Sequence, residues 1–112
     1  MSPLTPRAGE TIIDKGLPNA FAGTDLAKHL AASERKNLIV GGFMTHMCVS
    51  ATVRAATDHG YMSTVAADSV ATRDLPDATG GATVGADTIN RITLAALADR
   101  FAWVVPKASQ IA

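Results

Sequence analysis

A single cysteine, Cys48, follows a pair of glycines in the stretch Gly41-Gly42-Phe43-Met44-Thr45-His46-Met47-Cys48-Val49. Before the glycines, Leu38-Ile39-Val40 is fully apolar and fits a strand buried on both faces. Val49, Val53, Ala56 and Thr57 then follow helical spacing until Gly60 stops them. The cysteine therefore falls in about the first turn of a helix that leaves a buried strand. Unpaired N–H groups at such a turn point at the sulfur, and the helix dipole favours an anion. That is how a nucleophilic thiolate is made. The same N–H groups can hold the oxyanion of a tetrahedral intermediate, and the glycines let the backbone turn sharply beforehand. A lone cysteine is equally an ordinary small core hydrophobe, so this turn by itself leaves both readings open.

Other side chains around it allow two roles each. His46 is placed either to touch a substrate or act as a base, or to face solvent at a helix start. Thr45 is a candidate helix cap and pocket residue. Phe21, in the loop Asn19-Ala20-Phe21-Ala22-Gly23-Thr24, covers a pocket or packs in the core, with packing the simpler role. Asp68 follows a β-prone run at the edge where ligands bind. His29, His46 and His59 do not form a metal-ligand spacing. Gly41-Gly42 lacks the third glycine of a dinucleotide fingerprint, and Gly80-Gly81 reads as a hinge. Met44 and Met47 pack or line an apolar pocket. Arg54 and Asp58, one helical turn apart, predict a weak exposed pair.

The elements that must hold these residues alternate along the chain. Thr11-Ile12-Ile13-Asp14 is β-prone, and Gly16, Pro18 and Asn19 break the chain after it. Thr24 with Asp25 starts a helix over about 24–34, carrying Leu26, Ala27, Leu30 and Ala31 at helical spacing. A strand over 38–42, the cysteine helix, and a β-prone run from Tyr61 to Asp68 follow. A loop covers 69–77, and a helix over about 83–99 turns Ile89, Ile92, Leu94 and Leu97 inward. Phe101-Ala102-Trp103-Val104-Val105 is the last strand before Pro106. The order β-α-β-α-β-α-β predicts a parallel sheet with right-handed crossovers and helices on both faces. Ligands bind such sheets at the carboxyl ends of the strands.

Composition narrows the function. The chain has 112 residues, 47% of them apolar and 18% charged, enough for one small domain with a core. Ten basic and ten acidic residues cancel, so no basic excess exists to hold a nucleic acid. No apolar run approaches the ~20 residues of a membrane span, and Met1 to Arg7 lacks the apolar core of a signal peptide. One cysteine cannot form an internal disulfide, so a reducing cytoplasm is expected. Aromatic residues are only 4%. The resulting alanine-rich core is thin, which points to support from a partner or from further sequence.

Several blocks taken in order are more specific than any alone. They are Asp14-Lys15, the Asn19 to Leu26 loop, Gly41 to Val49, Thr52-Val53-Arg54-Ala55-Ala56, Gly60-Tyr61 and Val65 to Ala71. Together they resemble the isochorismatase-like cysteine hydrolases, the group that includes nicotinamidases, from about Thr11 to Val105. The resemblance implies a three-layer α/β/α fold with a mostly parallel sheet, Rossmann-like in topology, and a Cys-Asp-Lys catalytic set. Lys15 matches the family lysine and Cys48 the nucleophile. It further implies a cis peptide between Phe43 and Met44, with the backbone N–H groups of Met44 and Cys48 as oxyanion hole. Retention of Cys48 favours the amidase branch over members that cleave isochorismate. Family domains are longer, and their aspartate closes an opening strand in an Asp-x-Gln pattern that has no match before Lys15. Asp14 belongs to the lysine block. The absent part also carries the metal-ligand histidines of metal-dependent members.

The expectation is thus a surface segment over 1–10 and a partial hydrolase domain over 11–112, missing the opening strand. Its reaction would cleave the C–N bond of a small carboxamide through a Cys48 thioester, impaired for want of the aspartate. Phe21, Thr45 and His46 are candidate pocket residues, and neither a cofactor nor a metal is implied. A homo-oligomer is expected, with no nucleic-acid or membrane partner. The alternative is a non-catalytic remnant that serves as an oligomer subunit or interaction module.

Overall fold

The computed structural model describes residues 5–111. The expected surface segment is exposed over residues 5–10, and its first four residues lie outside the described ones. The elements in order are α1 (Leu26–Ser33), β1 (Asn37–Phe43), a π-helical turn (Thr45–Val49), α2 (Ser50–Asp58), β2 (Met62–Ala71), α3 (Ala86–Arg100) and β3 (Ala102–Val105), with a short 3₁₀ turn at Ala108–Gln110. The strands form one sheet in the order β1-β2-β3, both pairings parallel. This is the α/β architecture that the alternation predicts.

The first predicted strand is not one. Thr11-Ile12-Ile13-Asp14 has no strand geometry, and Ile12 is 70% exposed. β-branched residues favour strands only where a neighbouring edge accepts their hydrogen bonds, and neither described ladder includes these residues. Lys15 therefore sits on an irregular segment rather than at a strand end.

β1 and β2 keep simple register from Asn37↔Met62 to Val40↔Val65, and then the pairing jumps to Gly42↔Val70. The extra residues bulge β2 outward, and the strand resumes beyond Asp68, where a loop is expected. Two glycines make this crossing possible. A Cβ on Gly41 would lie 3.2 Å from the Ser69 carbonyl oxygen, and Gly42 has φ +123°, a conformation open to glycine and little else.

One sheet face is covered. Val53 of α2 and Leu94 and Leu97 of α3 pack with Val65 and Val70, and Val40 and Val104 join them from the flanking strands. Ile89 is also buried, whereas Ile92 is 62% exposed. At 100° per residue Ile92 falls well away from the arc shared by Ile89, Leu94 and Leu97. A second cluster joins Phe21, Ala56 and Tyr61 to Leu26, Ala27 and Leu30 of α1. The opposite sheet face carries Ile39, paired through Thr64 to Trp103, and Met62 beside them. Ile39, Met62 and Trp103 are 70%, 47% and 64% exposed, so the second helical layer is not among the described residues.

Candidate active site

Cys48 is carried by the turn between β1 and α2. β1 ends at Phe43, the Phe43–Met44 peptide bond is cis, and the π-helical turn begins at Thr45. Met44 is extended, with φ −83° and ψ 142°, and its carbonyl accepts the N–H groups of Met47 (3.0 Å) and Val49 (3.2 Å). The wide turn arises because the chain closes onto Met44 before α2 takes up regular geometry. Val49, 3% exposed, anchors its end in the main core. Cys48 itself is half-buried and free of any disulfide.

Lys15 reaches it from the irregular segment. Its Nζ donates to Cys48 Sγ at 3.3 Å and to the Leu17 carbonyl at 3.1 Å. The second bond draws the head group back toward its own backbone and fixes where the ammonium sits. The contact sets a cationic head group within hydrogen-bond reach of the sulfur. Both side chains open into a pocket of about 200 Å³, whose wall also includes Ala20, Gly42, Phe43 and Thr52. A larger cavity of about 440 Å³ shares Lys15 and Ala20 and runs toward Leu26 and Leu30 of α1.

The other candidates lie elsewhere. Thr45 is fully buried, its Oγ1 has no hydrogen-bond partner, and the turn has no side-chain cap. Phe21 is buried in the second cluster with its ring stacked on His59 at 4.6 Å. His46 pairs through Nδ1 with Thr72 Oγ1. None of the three is part of the wall around Cys48. Asp68 accepts the Ala108 N–H at 2.8 Å and so ties β2 to the 3₁₀ turn. Arg54 turns from Asp58: its Nε donates to Ser50 Oγ at 3.1 Å and its guanidinium lies 4.7 Å from the Phe101 ring centre. Thr24 hydroxyl accepts the Leu26 N–H at 3.2 Å, although Asp25 is the residue at the helix cap. Among the described residues, no cluster of three or more His, Cys, Asp or Glu side chains is placed to hold a metal ion, and no helix is long and apolar enough to cross a membrane.

Sequence reasoning passed over Thr52 and Thr72. Thr52 had a visible signal, since it lies one helical turn after Cys48. Thr72 had none, because its meeting with His46 depends on the bulge in β2.

Comparison with known proteins identifies the family. A family model described as the isochorismatase domain matches residues 1–109. A secreted isochorismatase effector of Verticillium dahliae is 37% identical over 91% of this chain and 50% of its own. Streptothricin hydrolase of Streptomyces noursei is 34% identical over 97% of this chain and 40% of its own. In solved structures, an isochorismatase from Pseudomonas putida superposes with a TM-score of 0.92 at 44% identity, covering 99% of this chain and 56% of that one. A cysteine hydrolase from Pseudomonas syringae gives 0.90 at 31% identity, covering 97% and 51%. The chain spans about half the length of the relatives it matches. It belongs to the isochorismatase family.

Proposed function

We propose that this chain carries the nucleophile of a cysteine hydrolase that cleaves the C–N bond of a small carboxamide. The observation that carries the reading is the 3.3 Å approach of Lys15 Nζ to Cys48 Sγ at the wall of a pocket. Two relatives, named streptothricin hydrolase and maleamate amidohydrolase, are consistent with it.

In this reaction the Cys48 thiolate attacks the amide carbonyl carbon, forming a C–S bond. The oxyanion is held by the backbone N–H groups of Met44 and Cys48. The intermediate expels ammonia or an amine once its nitrogen is protonated. Water then attacks the thioester, releasing a carboxylic acid and restoring the sulfur. Lys15 donates a hydrogen bond to the sulfur and orients it before attack. General acid–base help with these proton transfers typically contributes about 10²–10⁴-fold to a rate. Ammonia release from a panel of small carboxamides tests the reading. Cys48→Ala abolishes any release that the wild-type chain gives, and unchanged turnover in that variant refutes the assignment.

A second reading has its own observation. The open sheet face around Ile39, Met62 and Trp103 suits a subunit of a homo-oligomer, catalytic or not, since large exposed apolar patches mark association surfaces. Its setting in a reducing cytoplasm rests on the lone thiol. Sedimentation at several concentrations tests the assembly, which the reading predicts to be larger than a monomer.

A further inference from the structure

Lys15 lies on a segment without regular structure, yet the reaction above needs its ammonium within hydrogen-bond reach of sulfur. Something must hold that segment in register with the cysteine helix. Phe21 anchors it by burial among Ala56 and Tyr61, but apolar burial is non-directional and sits six residues from Lys15. Directional contacts come from Thr52. Its Oγ1 accepts the Ala20 N–H at 2.9 Å and donates to the Pro18 carbonyl at 3.3 Å. One hydroxyl thus engages the backbone at two points, three and five residues beyond Lys15. Four positions separate Thr52 from Cys48, which puts the two side chains on the same helix face, and both line the pocket with Lys15 and Ala20.

We infer that Thr52 is a positioning residue that sets the distance between the Lys15 ammonium and the Cys48 sulfur by clamping the Pro18–Ala20 backbone to the cysteine helix. This rests on the Cys48–Lys15 reading. Thr52 itself takes no part in bond making. A hydroxyl is required, because only a group that both donates and accepts can hold a carbonyl and an N–H together. Serine keeps that capacity, and valine keeps the shape while losing it.

The test reads the charge beside the sulfur, because the thiolate fraction cancels in a ratio of two alkylation rates. Cys48 is alkylated with anionic iodoacetate and with neutral iodoacetamide in the full chain, and the ratio of the two rates is divided by the same ratio for the urea-unfolded chain. An ammonium beside the sulfur raises the normalised ratio by roughly threefold, the attraction of two unit charges about 6 Å apart in water. Thr52→Val lowers the ratio toward that of Lys15→Met, whereas Thr52→Ser retains the wild-type value. Circular dichroism confirms that each variant is folded. A Thr52→Val ratio equal to wild type, with Lys15→Met lowered, overturns the clamp and leaves the Cys48–Lys15 reading standing. If Lys15→Met leaves the ratio unchanged, that reading fails and the clamp falls with it.

Discussion

The two sides of the candidate site are built from different material. Cys48 rides on β1, a π-helical turn and α2, with Val49 locked in the main core beside Val53 and Leu97. Lys15 rides on an exposed, irregular segment held by a buried ring and a few hydrogen bonds. One side inherits its position from packing, which changes only when the domain unfolds. The other inherits it from local contacts, and such segments open at lower free energy than the core. On the proposed reading, the nucleophile stands on the packed side and the charge beside it on the side held by local contacts.

The largest effect should remove the difference between the two sides altogether. Leu97 is fully buried in the core beneath α3. Truncating it as Leu97→Ala is expected to cost about 2–5 kcal/mol, seen as a lower urea midpoint, and both sides should become protease-sensitive together. Equal stability with wild type would mean that the Cys48 side does not depend on this core.

A smaller change should separate the sides. Phe21→Ala removes the ring stacked on His59 and is expected to cost about 3 kcal/mol, the low end for a buried phenylalanine, borne mainly by the segment around residues 15–25. Limited proteolysis should then cut that segment while the hydrogen-exchange protection of β1 and α2 persists. Simultaneous loss of protection everywhere would show one cooperative unit in place of two.

Much of the Cys48 side was legible in the sequence. The apolar run Leu38-Ile39-Val40, the glycine pair and the helical spacing of Val49, Val53 and Ala56 are local patterns, and β1 and α2 follow them. Helix α3 was legible for the same reason, save for Ile92, which the inward set wrongly included. The Lys15 side reads as a strand in the sequence because Thr11-Ile12-Ile13 has β propensity, but propensity is weak without a pairing edge. The β2 bulge was hidden as well. It depends on the close approach of Gly41 to Ser69, a contact between distant parts of the chain. The pairing of Lys15 with Cys48 came from resemblance to a family, not from spacing, since 33 positions separate them.

Two further effects are smaller and lie outside the site. Trp103 is 64% exposed on the open sheet face, so Trp103→Gln should alter dilute-solution stability by less than about 0.5 kcal/mol while lowering any self-association seen by sedimentation. A large loss of stability in dilute solution would mean that the ring is packed within the monomer. At Asp77, the backbone N–H of Thr79 and then its hydroxyl hold the carboxyl below the usual carboxylate range. A lowered folded-state value means that the turn's contribution is present above the ordinary carboxylate range and is lost as pH falls through the lowered value. Carboxyl carbon shifts in an NMR titration should show this, and Thr79→Ala should move the Asp77 midpoint upward.

The central claim is that Lys15 and Cys48 meet in the folded chain. A short thiol–amine cross-linker, attached first at Cys48 and mapped by mass spectrometry after digestion, tests it directly. A Cys48–Lys15 link that disappears in urea is expected. Links from Cys48 to Lys28, Lys36 or Lys107 in the folded protein, with none to Lys15, would contradict it.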